Sequence, residues 1–174
     1  MKFIPKYPSI VLENPKFPRN VSAIIRLASC FGIEQVWYTG NRMDEQLEGM
    51  KRLPREERMK GYNNVEWIGY NYPFEFLKDG IPVVIELVPN AVPLTYFTHP
   101  KNAVYIFGPE DGNVSKGLRV LSGNFVIIPS RHCLNLATAV SSVLTHRITQ
   151  MAWMPEEMSE YRIPMDFKSD IELG

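Results

Sequence analysis

Three short segments of this sequence gather polar side chains directly behind apolar runs. Gly108-Pro109-Glu110-Asp111-Gly112-Asn113 follows Val104 to Phe107, Pro129-Ser130-Arg131-His132-Cys133-Leu134-Asn135 follows Phe125 to Ile128, and Val88-Pro89-Asn90 follows Val83 to Leu87. In a parallel sheet, ligands bind beyond the carboxyl ends of strands, so these are the places to look for chemistry. The first segment is a sharp turn with two carboxylates and a glycine that admits close approach of another group to the backbone. The second is a loop that enters the amino end of a helix. Phosphate chemistry of the common kinds is excluded, because neither GxGxxG nor GxxxxGK[ST] occurs. His99, His132 and His146 are scattered without HExxH or paired-cysteine spacing, so no metal site is expected. His132 and Cys133 do not form a nucleophile pair, since adjacent residues seldom aim their side chains at each other.

The elements that must position these segments are legible from periodicity. Strand-length apolar runs occur at Ile10 to Leu12, Val36 to Tyr38, Val83 to Leu87, Val104 to Phe107 and Phe125 to Ile128, with a weaker one at Val65 to Ile68. Most are continuous rather than alternating, as strands buried on both faces are, and helical spacing separates several of them. The predicted class is α/β, a mostly parallel sheet flanked by helices. In the first helix Asn20 can cap, Val21, Ile24, Ile25 and Ala28 form the apolar stripe, and Gly32 stops the helix. Ser22, Arg26 and Ser29 share another face. In the last helix Asn135 can cap, and Leu136, Ala139, Val140, Val143 and Leu144 continue the stripe to about Met151. Weaker helices are predicted over Tyr72 to Lys78 and Val114 to Leu121.

The chain has 174 residues and is 45% hydrophobic, which suits one domain with a real core. A single domain over 1–152 is expected, followed by an acidic extension, 153–174, to which no structure is assigned. Lys and Arg total 19, as do Asp and Glu, so affinity for a polyanion must come from a local patch. Up to residue 155 there are 17 basic and 13 acidic groups, against 2 and 6 beyond it. The densest basic segment, Lys51, Arg52, Arg55, Arg58 and Lys60, is either a solvated helix face or a grip on phosphates. No apolar stretch approaches the roughly 20 residues of a membrane span, and no signal peptide is apparent, so the cytoplasm is the expected compartment. Cys30 and Cys133 are too few for a disulfide framework and are expected as free thiols.

Asn14 to Gly32 (NPKFPRNVSAIIRLASCFG), Ile106 to Asn113 (IFGPEDGN) and Ile127 to Arg147 (IIPSRHCLNLATAVSSVLTHR) resemble the three ordered motifs of the SpoU or TrmH-like RNA ribose methyltransferases of the SPOUT superfamily. The specific features are an asparagine six residues before an arginine, a later GxE and a still later Leu-Asn pair entering a helix. The resemblance implies an α/β domain with a carboxyl-terminal trefoil knot, S-adenosylmethionine bound in a bent shape, and a homodimer of the minimal type without an added RNA-binding domain. By position it assigns Asn20, Arg26, Glu110, Cys133 and Asn135 to catalysis. Cofactor contacts would come from Leu87, Gly108, Glu110, Ile128 and Leu134.

The implied reaction is methyl transfer to a ribose 2′-hydroxyl, of tRNA in preference to rRNA. Arg26 would grip a phosphate through two parallel hydrogen bonds. Arg19, Arg42, Arg131 and the basic segment Lys51 to Lys60 would hold RNA, without metal or membrane. Cys133 departs from the family, which usually has serine there, and no glycine directly follows Glu110. Those departures support an alternative: a catalytically weakened homologue that binds S-adenosylmethionine or RNA. A ribosomal RNA methyltransferase and an unrelated α/β small-molecule enzyme are the other readings.

Overall fold

The computed structural model describes residues 4–47 and 64–152. Seven strands form one sheet: β1 (Ser9–Glu13), β2 (Gln35–Thr39), β3 (Glu66–Gly69), β4 (Ile81–Ile85), β5 (Val92–Pro93), β6 (Ala103–Phe107) and β7 (Asn124–Ile127). Their order is β3-β2-β1-β6-β4-β7-β5, and each neighbouring pair runs parallel. The central partners β1 and β6 set Ile10 opposite Tyr105 and Leu12 opposite Phe107. Among the described residues four α-helices accompany the sheet: α1 (Pro18–Cys30), α2 (Arg42–Leu47), α3 (Lys116–Arg119) and α4 (Leu136–Ala152).

Burial on both faces explains the continuous apolar runs. Side chains alternate across a strand, so Ile10, Leu12, Val36 and Tyr105 join one core while Val11, Trp37, Val104 and Ile106 join another. The first core is closed by Val21, Ile24, Ile25 and Ala28 of α1 and by Val140, Val143 and Leu144 of α4. The second is closed by Leu77, Val114 and the partly buried Phe74 and Phe76.

Several boundaries differ from the sequence prediction for identifiable reasons. α1 begins at Pro18, whose fixed φ suits a first helical position, and Phe17 occupies the cap position without a side-chain cap bond. Asn20 therefore lies inside the first turn and is not the cap. Gly32, at φ +70, does end the helix, with the Ile33 amide donating to the Ala28 carbonyl at 2.8 Å. Ser22 is fully buried with no hydrogen-bond partner for Oγ, whereas Arg26 is exposed, so the two do not share an environment. β4 runs from Ile81 to Ile85 rather than Val83 to Leu87, and the chain leaves the sheet at Glu86. The segment 72–78 holds only a 3-10 turn, Pro73–Glu75, and 114–121 only the four-residue α3, capped by Ser115. Asn135 caps α4 as predicted: its Oδ1 accepts the amides of Ala137 (2.9 Å) and Thr138 (3.4 Å).

The far half of α4 is fastened to the segment before β6 by a buried polar cluster. Arg147, 4% exposed, donates to the carbonyls of Pro100 (2.6 Å) and Lys101 (3.0 Å) and to the Tyr105 hydroxyl (3.1 Å). An arginine can only donate, so the Tyr105 oxygen accepts and its own proton points to His99 Nδ1, 2.6 Å away. His99 Nε2 then donates to His146 Nδ1 at 2.8 Å. Burial, reinforced by the charges of His146 and Arg147, pushes His99 down to about 3, and burial lifts the Tyr105 hydroxyl to about 12. Among the described residues, no helix is long and apolar enough to cross a membrane.

A neutral buried His99 binds its proton less readily than the unfolded chain does, near 6.5. Stability is thus expected to fall as pH drops from 6.5 toward 3, and His99→Gln to flatten that part of the profile. Urea midpoints for both proteins across this window check it; identical slopes would refute the assignment.

Candidate active site

Three loops meet at the carboxyl edge of the sheet: residues 14–17 after β1, 108–115 after β6 and 128–135 after β7. A side-chain chain of hydrogen bonds joins them. Asn135 Nδ2 donates to Asn20 Oδ1 at 2.9 Å, and Asn20 Nδ2 donates to Glu110 Oε1 at 2.8 Å. Glu110 also accepts the backbone amides of Lys16 (2.7 Å, Oε2) and Phe17 (3.3 Å, Oε1). Starting α1 at Pro18 is what makes this possible. Asn20 is spared from capping its own helix and turns its amide across to the other two loops.

Beside this chain lies a cavity of about 450 Å³, in the size range of small-molecule sites, about 300–1,000 Å³. Apolar walls come from Ile85, Leu87, Ile127, Ile128, Leu134 and Leu136, and polar groups from Asn20, Glu86, Glu110 and Asn135. Leu87 and Leu134 are 60% and 39% exposed despite lining a cavity, which leaves apolar surface for the ring or alkyl part of a ligand. Gly108 also lines it. A Cβ there would come within 2.8 Å of the Val114 amide nitrogen, so the group that approaches this glycine closely is the chain's own backbone.

Carboxylates fasten the loop that carries Glu110. Glu13 accepts the Ser115 amide at 2.7 Å, and Glu86 accepts the Val114 amide at 2.8 Å through Oε2 and the Leu87 amide at 2.8 Å through Oε1. Asp111 pairs with Arg42 at 2.7 Å and Lys16 at 3.2 Å, and the hydrogen bonds from those two cations hold its carboxyl below the usual range. Neither Glu13 nor Glu86 belongs to a polar motif in the sequence: Glu13 follows the run Ile10 to Leu12, and Glu86 lies within Val83 to Leu87.

The residues predicted from sequence are thus divided. Asn20, Glu110, Cys133 and Asn135 come together around the cavity, as do Leu87, Gly108, Ile128 and Leu134. Arg26 lies on the exposed side of α1 and does not line it. Arg19 and Arg131 are exposed. Arg42 pairs with Asp111 across the loops. Lys51, Arg52, Arg55, Arg58 and Lys60 fall outside the described residues, as does the extension 153–174. Cys30 and Cys133 are free and exposed.

Known proteins share this fold. The model of the SpoU rRNA methylase family matches residues 8–145. A tRNA (cytidine(34)-2'-O)-methyltransferase of Beijerinckia indica subsp. indica is 22% identical over 163 residues, covering 88% of this chain and 98% of the relative. The fold is similar to the A. aeolicus TrmH/SpoU tRNA modifying enzyme, with a TM-score of 0.70 and 20% identity over 85% of this chain and 77% of that one. It is also similar to the SpoU methyltransferase AviRb from Streptomyces viridochromogenes in complex with AdoMet (TM-score 0.67, 21% identity, 84% and 60% covered).

Removing the Glu110 carboxylate leaves two backbone amides and Asn20 without their acceptor. Glu110→Ala is expected to cost about 1–3 kcal/mol of stability, and Asp111→Ala, whose ion pairs are solvent-exposed, distinctly less. Denaturant unfolding of both variants checks the ranking, and the reverse order would refute it.

Proposed function

The chain belongs to the SpoU rRNA methylase family, and from that we propose that it transfers a methyl group from S-adenosylmethionine to a ribose 2′-hydroxyl of RNA, with tRNA the favoured substrate. The observation that carries this reading is the Asn135–Asn20–Glu110 chain at the rim of an apolar cavity. It is supported by a relative named as a tRNA 2'-O-methyltransferase and by a similar fold described in complex with AdoMet.

The residues present fit such a cofactor. Ile85, Leu87, Ile128 and Leu134 offer apolar walls to a nucleoside, and the rigid backbone around Gly108 offers fixed polar groups beside them. When bound, S-adenosylmethionine supplies an electrophilic methyl group on a sulfonium centre. The protein's task is then alignment, since in-line transfer rewards correct placement of the hydroxyl more than any other factor.

Asn135, locked between the α4 amides and Asn20, holds the ribose or its loop in one orientation. Glu110 acts at one remove, fixing Asn20 and the loop before α1. Arg26 grips a neighbouring phosphate with its planar fork and so positions the ribose. Guanidinium stays protonated, so the hydroxyl proton passes to a phosphate oxygen or water rather than to Arg26. Cys133 replaces the family's usual serine with a weaker hydrogen-bonding group, which makes it a wall of the site more than a donor.

Because Arg26 does not line its own chain's cavity, a homodimer belongs to this reading, with Arg19, Arg42, Arg131 and the segment Lys51 to Lys60 gripping RNA across both subunits. The trefoil knot and a cytoplasmic location belong to it as well.

Arg26→Ala is expected to lower transfer of a labelled methyl group to tRNA by about 100-fold or more, while calorimetric affinity for S-adenosylhomocysteine stays at the wild-type level. Lost cofactor affinity with normal turnover would overturn the role of Arg26. Transfer to rRNA fragments but not to tRNA would overturn the substrate.

A further inference from the structure

The cavity has an electrostatic character that alignment of the ribose does not require. Among the described residues its lining contains two carboxylates, Glu86 and Glu110, and no lysine, arginine or histidine. Glu110 already accepts three hydrogen bonds, from the Lys16 and Phe17 amides and from Asn20. The Ala137 and Thr138 amides at the start of α4 already have an acceptor in Asn135 Oδ1. Glu86 is different. Each of its oxygens accepts one backbone amide, Leu87 on Oε1 and Val114 on Oε2, both at 2.8 Å, and each keeps a further lone-pair direction. These two bonds also hold the half-buried carboxylate in one orientation at the wall of the cavity.

Resting on the methyl-transfer reading, we propose that Glu86 is a specificity-determining residue that makes the pocket distinguish methyl donor from spent product by charge. S-adenosylmethionine carries a sulfonium and an ammonium against one carboxylate, whereas S-adenosylhomocysteine has lost the sulfonium charge. A fixed carboxylate in a cavity with apolar walls attracts the first far more than the second, because low local polarity strengthens a charge interaction that water would mute. Donor is retained, and product is released once its charge has gone. The walls that hold the nucleoside are common to both ligands and cannot make this distinction.

Glu86→Gln tests this. The substitution is isosteric and keeps one carbonyl oxygen for the Val114 amide, so harm to the loop would weaken both ligands alike, and loss of charge would weaken only the donor. Calorimetric titration of the full chain with each ligand is expected to show wild type preferring S-adenosylmethionine by roughly tenfold. In Glu86→Gln most of that preference should vanish, through weaker donor binding at unchanged product affinity. An equal preference in both proteins, or an equal loss for both ligands, would overturn the proposal. Failure of folded wild type to bind either ligand would instead overturn the methyl-transfer reading, and this proposal with it.

Discussion

Glu110 is asked to satisfy three donors with two oxygens, and the arrangement of the carboxyl edge follows from that demand. The Lys16 and Phe17 amides belong to the turn that launches α1, and Asn20 belongs to the helix itself. A carboxylate bonded to backbone amides in this way is a strong, short-range restraint. It fixes the direction in which α1 leaves the sheet, and with it which face of α1 meets α4. Asn135 closes the arrangement from the other side, because the oxygen that caps α4 and the amide that reaches Asn20 belong to one side chain. Two helices and the turn after β6 are thereby held in one relative geometry by only three side chains.

The same edge shows how an acidic loop is kept in place. Glu13, Glu86, Glu110 and Asp111 would repel one another if left free, but each is engaged by backbone amides or by Lys16 and Arg42. Amides are fixed in space and cannot reorganise as water does. Stability at this edge is therefore spent on rigidity, which is what a site that works by alignment requires. The opposite end of the sheet uses a different device. There Arg147 lies in the core against carbonyl groups and a tyrosine, with its charge met by dipoles rather than by a carboxylate.

Much of this was legible because local chemistry and tertiary role coincide. Gly32 and Asn135 serve as helix stop and cap for the reasons their types suggest, and Ile10, Val36, Val104 and their neighbours are strands because both faces are buried. Asn20 has the type of a cap and directly precedes the apolar stripe at Val21, but Pro18 already starts the helix. β5 has no sequence signature, because two residues, one of them proline, carry no periodicity. The pairing of Arg42 with Asp111, 69 residues away, has no local sequence signature. His99, Tyr105, His146 and Arg147 are likewise joined only by the packing of α4 against the strand it covers.

The hydrogen bonds of the site span 90 and 115 residues of chain, and β1 waits for β6 before it has both its neighbours. During synthesis, on the order of ten seconds separate Asn20 from Asn135 at typical elongation rates. Through that interval the apolar face of α1 has no α4 to cover it, and the β1 edge toward β6 has no partner. Parallel pairing between distant segments also closes slowly, because loop entropy must be overcome before the contacts form. The nascent chain thus passes through a long stage with exposed helix face and strand edge, and the period just before α4 emerges is when it is most open to aggregation or to chaperone capture.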